Sequence, residues 1–179
     1  SQYFAGVMKE KMGIGNHPVY PVYLGVDPRE YPFRLATEKP RTLGFISRMC
    51  YENGLDIAVD AFILLKRMPG SEDVTLCITG GSTPAYSRYL SGIKKRIRKA
   101  GLEAQVDFHD NFEGDGRQEF FSKVALATVP VRKGEAFGIY LAELMAAGIP
   151  IIQPALGAFP EIIEKSEGGV VYSPNHPDV

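Results

Sequence analysis

From residue 42 onward, short and almost wholly apolar runs alternate with longer stretches in which apolar residues recur every three or four positions. The runs are TLGFIS (42–47), VTLCIT (74–79), QVDFH (105–109), ALATVPV (125–131), IPII (149–152) and GGVVY (168–172). Continuous apolar character over so few residues predicts strands covered on both faces, which is the habit of a parallel sheet. Between them, residues 53–68 place Leu55, Ala58, Val59, Phe62 and Leu65 on one helical face, and residues 84–101 do the same with Tyr86, Tyr89, Leu90, Ile93 and Ile97. RQEFFSKV (117–124) and AFPEIIEK (158–165) predict shorter helices, and residues 137–147 a helix that is apolar nearly all round. Six strands in β/α alternation predict an α/β fold, a Rossmann-like doubly wound parallel sheet.

The first forty residues read differently. Phe4, Val7, Met8 and Met12 form a weak helical pattern that ends in glycines. The G-x-G of GIGNHP follows no strand, so it reads as a helix stop and not as a dinucleotide loop. VYPVYLGVD (19–27) reads as a short strand ending in a turn, and PREYPFRLATEKPR (28–41) as a linker rich in proline and charge. The expected division is therefore 1–40 as the tail of a preceding domain plus linker, and 41–179 as a ligand-binding domain truncated at its C-terminal end.

Charge and composition narrow the chemistry. The formal net charge is −1 over 179 residues, which makes no case for nucleic acid or acidic lipid from the chain as a whole. The basic run KKRIRK (94–99) lies on the outer side of an amphipathic helix without interleaved aromatics and reads as a solvated face. Cys50 and Cys77 have neither the number nor the spacing of a disulfide framework or a zinc site, and read as packed, reduced thiols, fitting a cytoplasmic location. No cluster has metal-ligand spacing, and no P-loop, D-x-D or GxSxG motif occurs.

In an open parallel sheet, ligands bind beyond the carboxyl ends of the strands. There the chain offers Ser47, Arg48 and Asn53-Gly54 after the first strand, Gly80-Gly81 after the second, and HDNFEGDG from His109 after the third. RKGEAFG follows the fourth strand and QPALGAFPE the fifth. Arg48 is suited to gripping a phosphate, and paired glycines admit a ligand close to the backbone. Glu135 precedes the apolar helix, whose N-terminal N–H groups and dipole favour anions. Glu143 is that helix's one charge and needs hydrogen-bond donors on an apolar surface.

Glu135 and Glu143 form an E-x7-E pair within EAFGIYLAELMAAGIPII. That block resembles the E-G-F-G-x-x-x-x-E-A-M-A-x-G-x-P-V signature of the retaining family-4 glycosyltransferases. VYLGVD, LGFISRMCYENGLDIAVDAF, LCITGG, VDFHDNF and ALGAFPEII resemble that family's other blocks, in its order. The resemblance implies the donor half of a GT-B enzyme, metal-independent and without a cofactor, which binds a nucleotide-diphosphate sugar and transfers the sugar to an acceptor held by an N-terminal domain. Any membrane contact would be made through that other domain. By position, Arg48 would neutralise the diphosphate. The N–H groups of Phe137, Gly138 and Ile139 would meet phosphate or sugar, with Gly80, Gly81 and Lys133 nearby. Glu135 would contact the donor sugar and Glu143 the ribose, and Phe108, His109 and Asn111 would border the base. Three departures stand out: Ser47 for a glycine, Leu24 for an asparagine, and Asn53 for the phosphate-binding lysine. An asparagine brings no positive charge, so either another cation such as Lys133 substitutes or the site is a degraded, binding-only one. An epimerase on the same fold is a further alternative.

Overall fold

The computed structural model describes residues 1–109 and 115–178. Six parallel strands form one sheet in the order β3-β2-β1-β4-β5-β6. They are β1 (Thr42–Ile46), β2 (Thr75–Thr79), β3 (Val106–His109), β4 (Leu126–Ala127), β5 (Ile151–Pro154) and β6 (Gly169–Tyr172). The helices are α1 (Gln2–Met12), α2 (Leu55–Leu65), α3 (Ser87–Lys99), α4 (Asp115–Lys123), α5 (Ile139–Ala146) and α6 (Phe159–Ser166). This is the doubly wound arrangement expected from the alternation. The strand order reverses between β1 and β4, and the loops that leave their carboxyl ends must part there, opening a crevice.

The expected helical faces turn inward, although Leu65, Tyr86, Tyr89 and Leu90 are only half-buried and Tyr86 lies in a 3-10 turn before α3. Leu55, Ala58, Val59 and Phe62 of α2 and Ile93 and Ile97 of α3 lie in one core with Phe45, Phe120, Phe121, Leu141, Leu144 and Phe159. Gly44 lets α4 sit against β1, since a Cβ there would come within 2.6 Å of the Val124 side chain. Both cysteines are free and buried, and burial pushes the Cys77 thiol up to about 12. The cations of residues 94–99 are exposed, as a solvated face requires; Arg96 pairs with Asp60 and Arg98 with Glu103.

Three expectations are corrected. Residues 19–27 form no strand: Pro21 removes a ladder donor in the middle of the run, and Tyr20 and Val22 are exposed. The fourth strand is two residues, not seven. Thr128 still donates to the Gly44 carbonyl at 2.9 Å, but the Val129 N–H turns to the Gln153 side chain at 2.8 Å. Pro130 then has no N–H to offer. The fifth strand begins two residues late because Ile149 N–H closes the end of α5 on the Leu144 carbonyl.

Segment 28–41 holds two 3-10 turns, Pro28–Glu30 and Ala36–Glu38, and two of its side chains are buried in the domain. Tyr31 is buried edge-on to Phe121, with ring centroids 5.2 Å apart. The buried Lys39 ammonium donates to the Phe121 and Ala147 carbonyls, each at 3.1 Å, and so closes the C-terminal ends of α4 and α5.

Candidate functional site

The crevice at the sheet's reversal point is built from the β1–α2 loop, 47–54, and the β4–α5 loop, 128–138. A polar clasp fixes the two loops to each other. Arg132 donates to both carboxylate oxygens of Asp56 at 2.9 and 2.7 Å. Its guanidinium stacks on Tyr51, 3.6 Å from the ring centroid, and its N–H bonds the Glu52 carbonyl at 2.9 Å. The Tyr89 hydroxyl donates to Asp56 at 2.9 Å. Burial pushes Asp56 up, but the Arg132 and Tyr89 hydrogen bonds outweigh it and hold the carboxyl below its ordinary range.

Loop 47–54 is also closed from within. Asn53 Nδ2 donates to Ser47 Oγ at 2.7 Å and to the Arg48 carbonyl at 3.1 Å, so its amide hydrogens are committed inside the loop. Arg48 is exposed, and its guanidinium makes no hydrogen bond or ion pair among the described residues. Gly80 sits under this loop at φ 117°, where a Cβ would lie 2.3 Å from the Ser47 carbonyl oxygen. Gly80-Gly81 is thus a close backbone crossing, with Met49 N–H bonded to the Gly81 carbonyl at 2.9 Å.

The β4–α5 loop holds Glu135 at the mouth of α5. Helix α5 starts at Ile139, two residues later than expected, because Gly138 adopts φ 80° and acts as its N-cap. No acceptor among the described residues engages the N–H groups of Phe137, Gly138 or Ile139. The Glu135 carbonyl accepts from Ala158 N–H at 3.0 Å, and Gly134 packs on Gly157, so the loop after β5 presses Glu135 into place. Burial raises the Glu135 carboxyl above its ordinary value, and a hydrogen bond from the Tyr140 hydroxyl opposes that. Tyr140 in turn accepts from Gln153 Nε2 at 3.1 Å. Lys133 is exposed within this loop.

Glu143 lies one helical face away. Arg117 Nη2 at 2.9 Å and the Tyr31 hydroxyl at 3.1 Å both donate to its Oε1. The donors it needs on an apolar helix are therefore supplied by the protein, not by a ligand alone. Its Oε2 accepts no hydrogen bond among the described residues. His109 pairs with Asp107 at 3.2 Å on the edge strand, and Phe108 lies beneath the Lys94 ammonium, 5.1 Å from its ring centroid. Asn111 lies outside the described residues. Tyr140, Gln153, Tyr31, Arg117, Arg132 and Asp56 were not singled out from the sequence. The one available signal was a polar residue set in an apolar element, as with Gln153 after IPII and Asp56 at the start of α2.

The family model for glycosyl transferases group 1 matches residues 27–179. The chain belongs to the group 1 glycosyltransferases. It is similar to the lipopolysaccharide core biosynthesis mannosyltransferase LpsB of Rhizobium meliloti, 29% identical over 143 residues, which are 78% of this chain and 36% of that protein. The uncharacterized glycosyltransferase MJ1607 of Methanocaldococcus jannaschii is 25% identical over 170 residues, 88% of this chain and 41% of that one. This group 1 chain thus spans about two fifths or less of the length of those relatives. Among solved structures, a glycosyltransferase of Rickettsia africae superposes with a TM-score of 0.81 at 18% identity, over 99% of this chain and 49% of that one. HepE of Anabaena, crystallised with UDP and glucose, gives 0.72 at 23% identity, over 87% and 43%. These neighbours share the fold of this chain, which matches a little under half of each of them. No helix among the described residues is long and apolar enough to cross a membrane.

Proposed function

We propose that this group 1 domain binds a nucleotide-diphosphate sugar in the crevice between loops 47–54 and 128–138. The observation that carries the reading is the mouth of α5, where three unclaimed N–H groups at a helix N-terminus stand beside the carboxylate of Glu135. Aligned N–H groups and the helix dipole stabilise the charge that develops on a leaving diphosphate. Arg48, exposed across the crevice, adds a cation, and Glu135 accepts from sugar hydroxyls. Glu143 Oε2 accepts from a ribose hydroxyl while Arg117 and Tyr31 hold Oε1. In the whole protein this half would work with an acceptor domain, with residues 1–40 as the junction, in a retaining transfer of the family-4 kind. Structural likeness to HepE, which binds UDP and glucose, supports the nucleotide-sugar part of this reading. The relatives' names support transfer.

Calorimetric titration with UDP, GDP and ADP tests it: binding of at least one is expected, and no binding of any rejects the reading. Glu143→Gln should weaken nucleotide binding by about tenfold, the worth of one charge-assisted hydrogen bond. Unchanged affinity would remove the ribose role. One observation favours a second reading, a binding domain without turnover: Asn53 contributes no cation and its amide is held by Ser47 and Arg48. Nucleotide binding without sugar transfer by the whole protein would decide for it.

A further inference from the structure

The polar chain behind Glu135 has a direction. Gln153 is fully buried, and its Oε1 accepts from the Val129 N–H at 2.8 Å. A backbone N–H can only donate, so the amide cannot be flipped, and Nε2 must face Tyr140, to whose oxygen it donates at 3.1 Å. With that lone pair engaged, the Tyr140 hydroxyl proton is left to point at an acceptor, and the Glu135 carboxyl faces the same Gly138 position as the phenol ring. Gly138 is the spacer between them. A Cβ there would fall 2.8 Å from Glu135 Oε2 and 3.2 Å from the Tyr140 ring, so carboxylate and phenol close on the helix N-cap from two sides.

We infer that Tyr140 and Gln153 are positioning residues for the donor sugar: a one-way relay, Val129 N–H to Gln153 to Tyr140 to Glu135, fixes the carboxylate as an acceptor with one oxygen held and the other turned to the crevice. The inference rests on the proposed sugar contact of Glu135. It adds a requirement which that contact alone does not make: sugar recognition depends on two buried side chains that never touch the sugar. The consequence is a division of labour. The diphosphate is held by loop 47–54 and the N–H groups at the start of α5, none of which the relay hydrogen-bonds. The sugar is held by a carboxylate whose rotamer the relay decides.

Two measurements test this. In the ligand-free protein, carbon-13 NMR titration of the Glu135 carboxyl reads the relay directly. Removing the hydroxyl donor with Tyr140→Phe should move the Glu135 midpoint up. Gln153→Glu should do the same, because its second oxygen would draw the tyrosine proton away. Should either variant fail to fold, 3-fluorotyrosine at position 140 keeps every contact and donates more strongly, and should move the midpoint down. A midpoint unmoved by these changes overturns the relay. The second measurement compares affinity for UDP-glucose, GDP-mannose or ADP-glucose, whichever is bound, with affinity for its own diphosphate. Tyr140→Phe should weaken the sugar nucleotide by about tenfold, the worth of a single hydrogen bond to a charged group. The diphosphate affinity should stay within about twofold. Loss of sugar affinity in Glu135→Ala but not in Tyr140→Phe refutes the inference alone. Loss in neither refutes the sugar contact as well.

Discussion

A carboxylate held out of water beside a single hydroxyl donor costs the free protein stability, and Glu135 is in that position. Its pKa is raised by burial above the ordinary 4.5. The native state therefore binds more protons than the unfolded chain between 4.5 and the raised value, and stability falls as pH rises through that window. Below 4.5 the carboxyl is protonated in both states and the penalty vanishes. Glu135→Gln should accordingly raise the melting temperature at pH 7, leave it unchanged near pH 4, and weaken binding of a sugar nucleotide. Equal melting temperatures at pH 7 would show that the burial carries no cost. Arg132 is the opposite case, a group whose removal strands its partner. Its bidentate pair with Asp56 is largely covered, with side-chain exposures of 25% and 13%. Arg132→Met should destabilise the domain by about 2 kcal/mol, less than breaking a fully buried pair, since the pair is partly exposed and Tyr89 still donates to Asp56. Urea unfolding reads this; a change below about 0.5 kcal/mol would deny the clasp its role.

At the level of elements, the junction depends on side chains more than on an apolar seam. Helix α1 buries none of its residues. Its start is instead held by Glu161 of α6, which accepts from the N–H groups of Gln2 at 2.8 Å and Tyr3 at 3.0 Å. Ser1 Oγ also donates to the Ala136 carbonyl at 2.8 Å. Tyr23 donates to Glu161 and receives from Lys165 at 2.7 Å. Burial works against the ionised Glu161, yet these donors outweigh it and bring the carboxyl down to about 2. A depressed carboxylate contributes above its unfolded value and is lost as pH falls toward the folded one. Between about pH 4.5 and pH 2, α1 should therefore leave α6 while the sheet stays intact. NMR shifts of Gln2, Tyr3 and Tyr23 that titrate together, ahead of those of Phe45, would establish this; simultaneous loss would mean α1 and the core are one unit. The polar contact also makes the docking sensitive to salt. It places the first residues of the chain next to the loop that carries Glu135, so release of α1 would be felt at the crevice mouth.

For the whole molecule, what was readable in the sequence follows from sequence distance. The sheet was readable because most strands are short, largely apolar runs and the covering helices repeat locally. Glu135 and the free N–H groups of Phe137, Gly138 and Ile139 were readable because a helix N-terminus is a local object. The partners of Glu143 were not: Tyr31 is 112 residues away and Arg117 is 26. Nothing in either stretch marks them as donors to α5. Likewise, Asp56 and Arg132 are 76 residues apart and meet only because β1 and β4 are neighbours in the sheet. The length of the fourth strand was misjudged for a related reason: Gln153, on another strand, takes the N–H of Val129 that a longer ladder would have used. The same long-range ties predict how the molecule responds to its ligand. Loops 47–54 and 128–138 are joined through Arg132, and 128–138 to the β5 loop through Glu135 and Ala158, so a ligand in the crevice contacts elements that unfold together. A ligand that binds only the native state at one hundred times its dissociation constant adds about 2.7 kcal/mol. For a domain of this size that amounts to a rise of roughly 5–10 °C in thermal midpoint. Thermal melts with increasing UDP, GDP or ADP should show one transition that moves upward with the logarithm of concentration. A fixed midpoint with the nucleotide calorimetrically bound, or a second transition that does not move, would show that the crevice loops melt apart from the sheet.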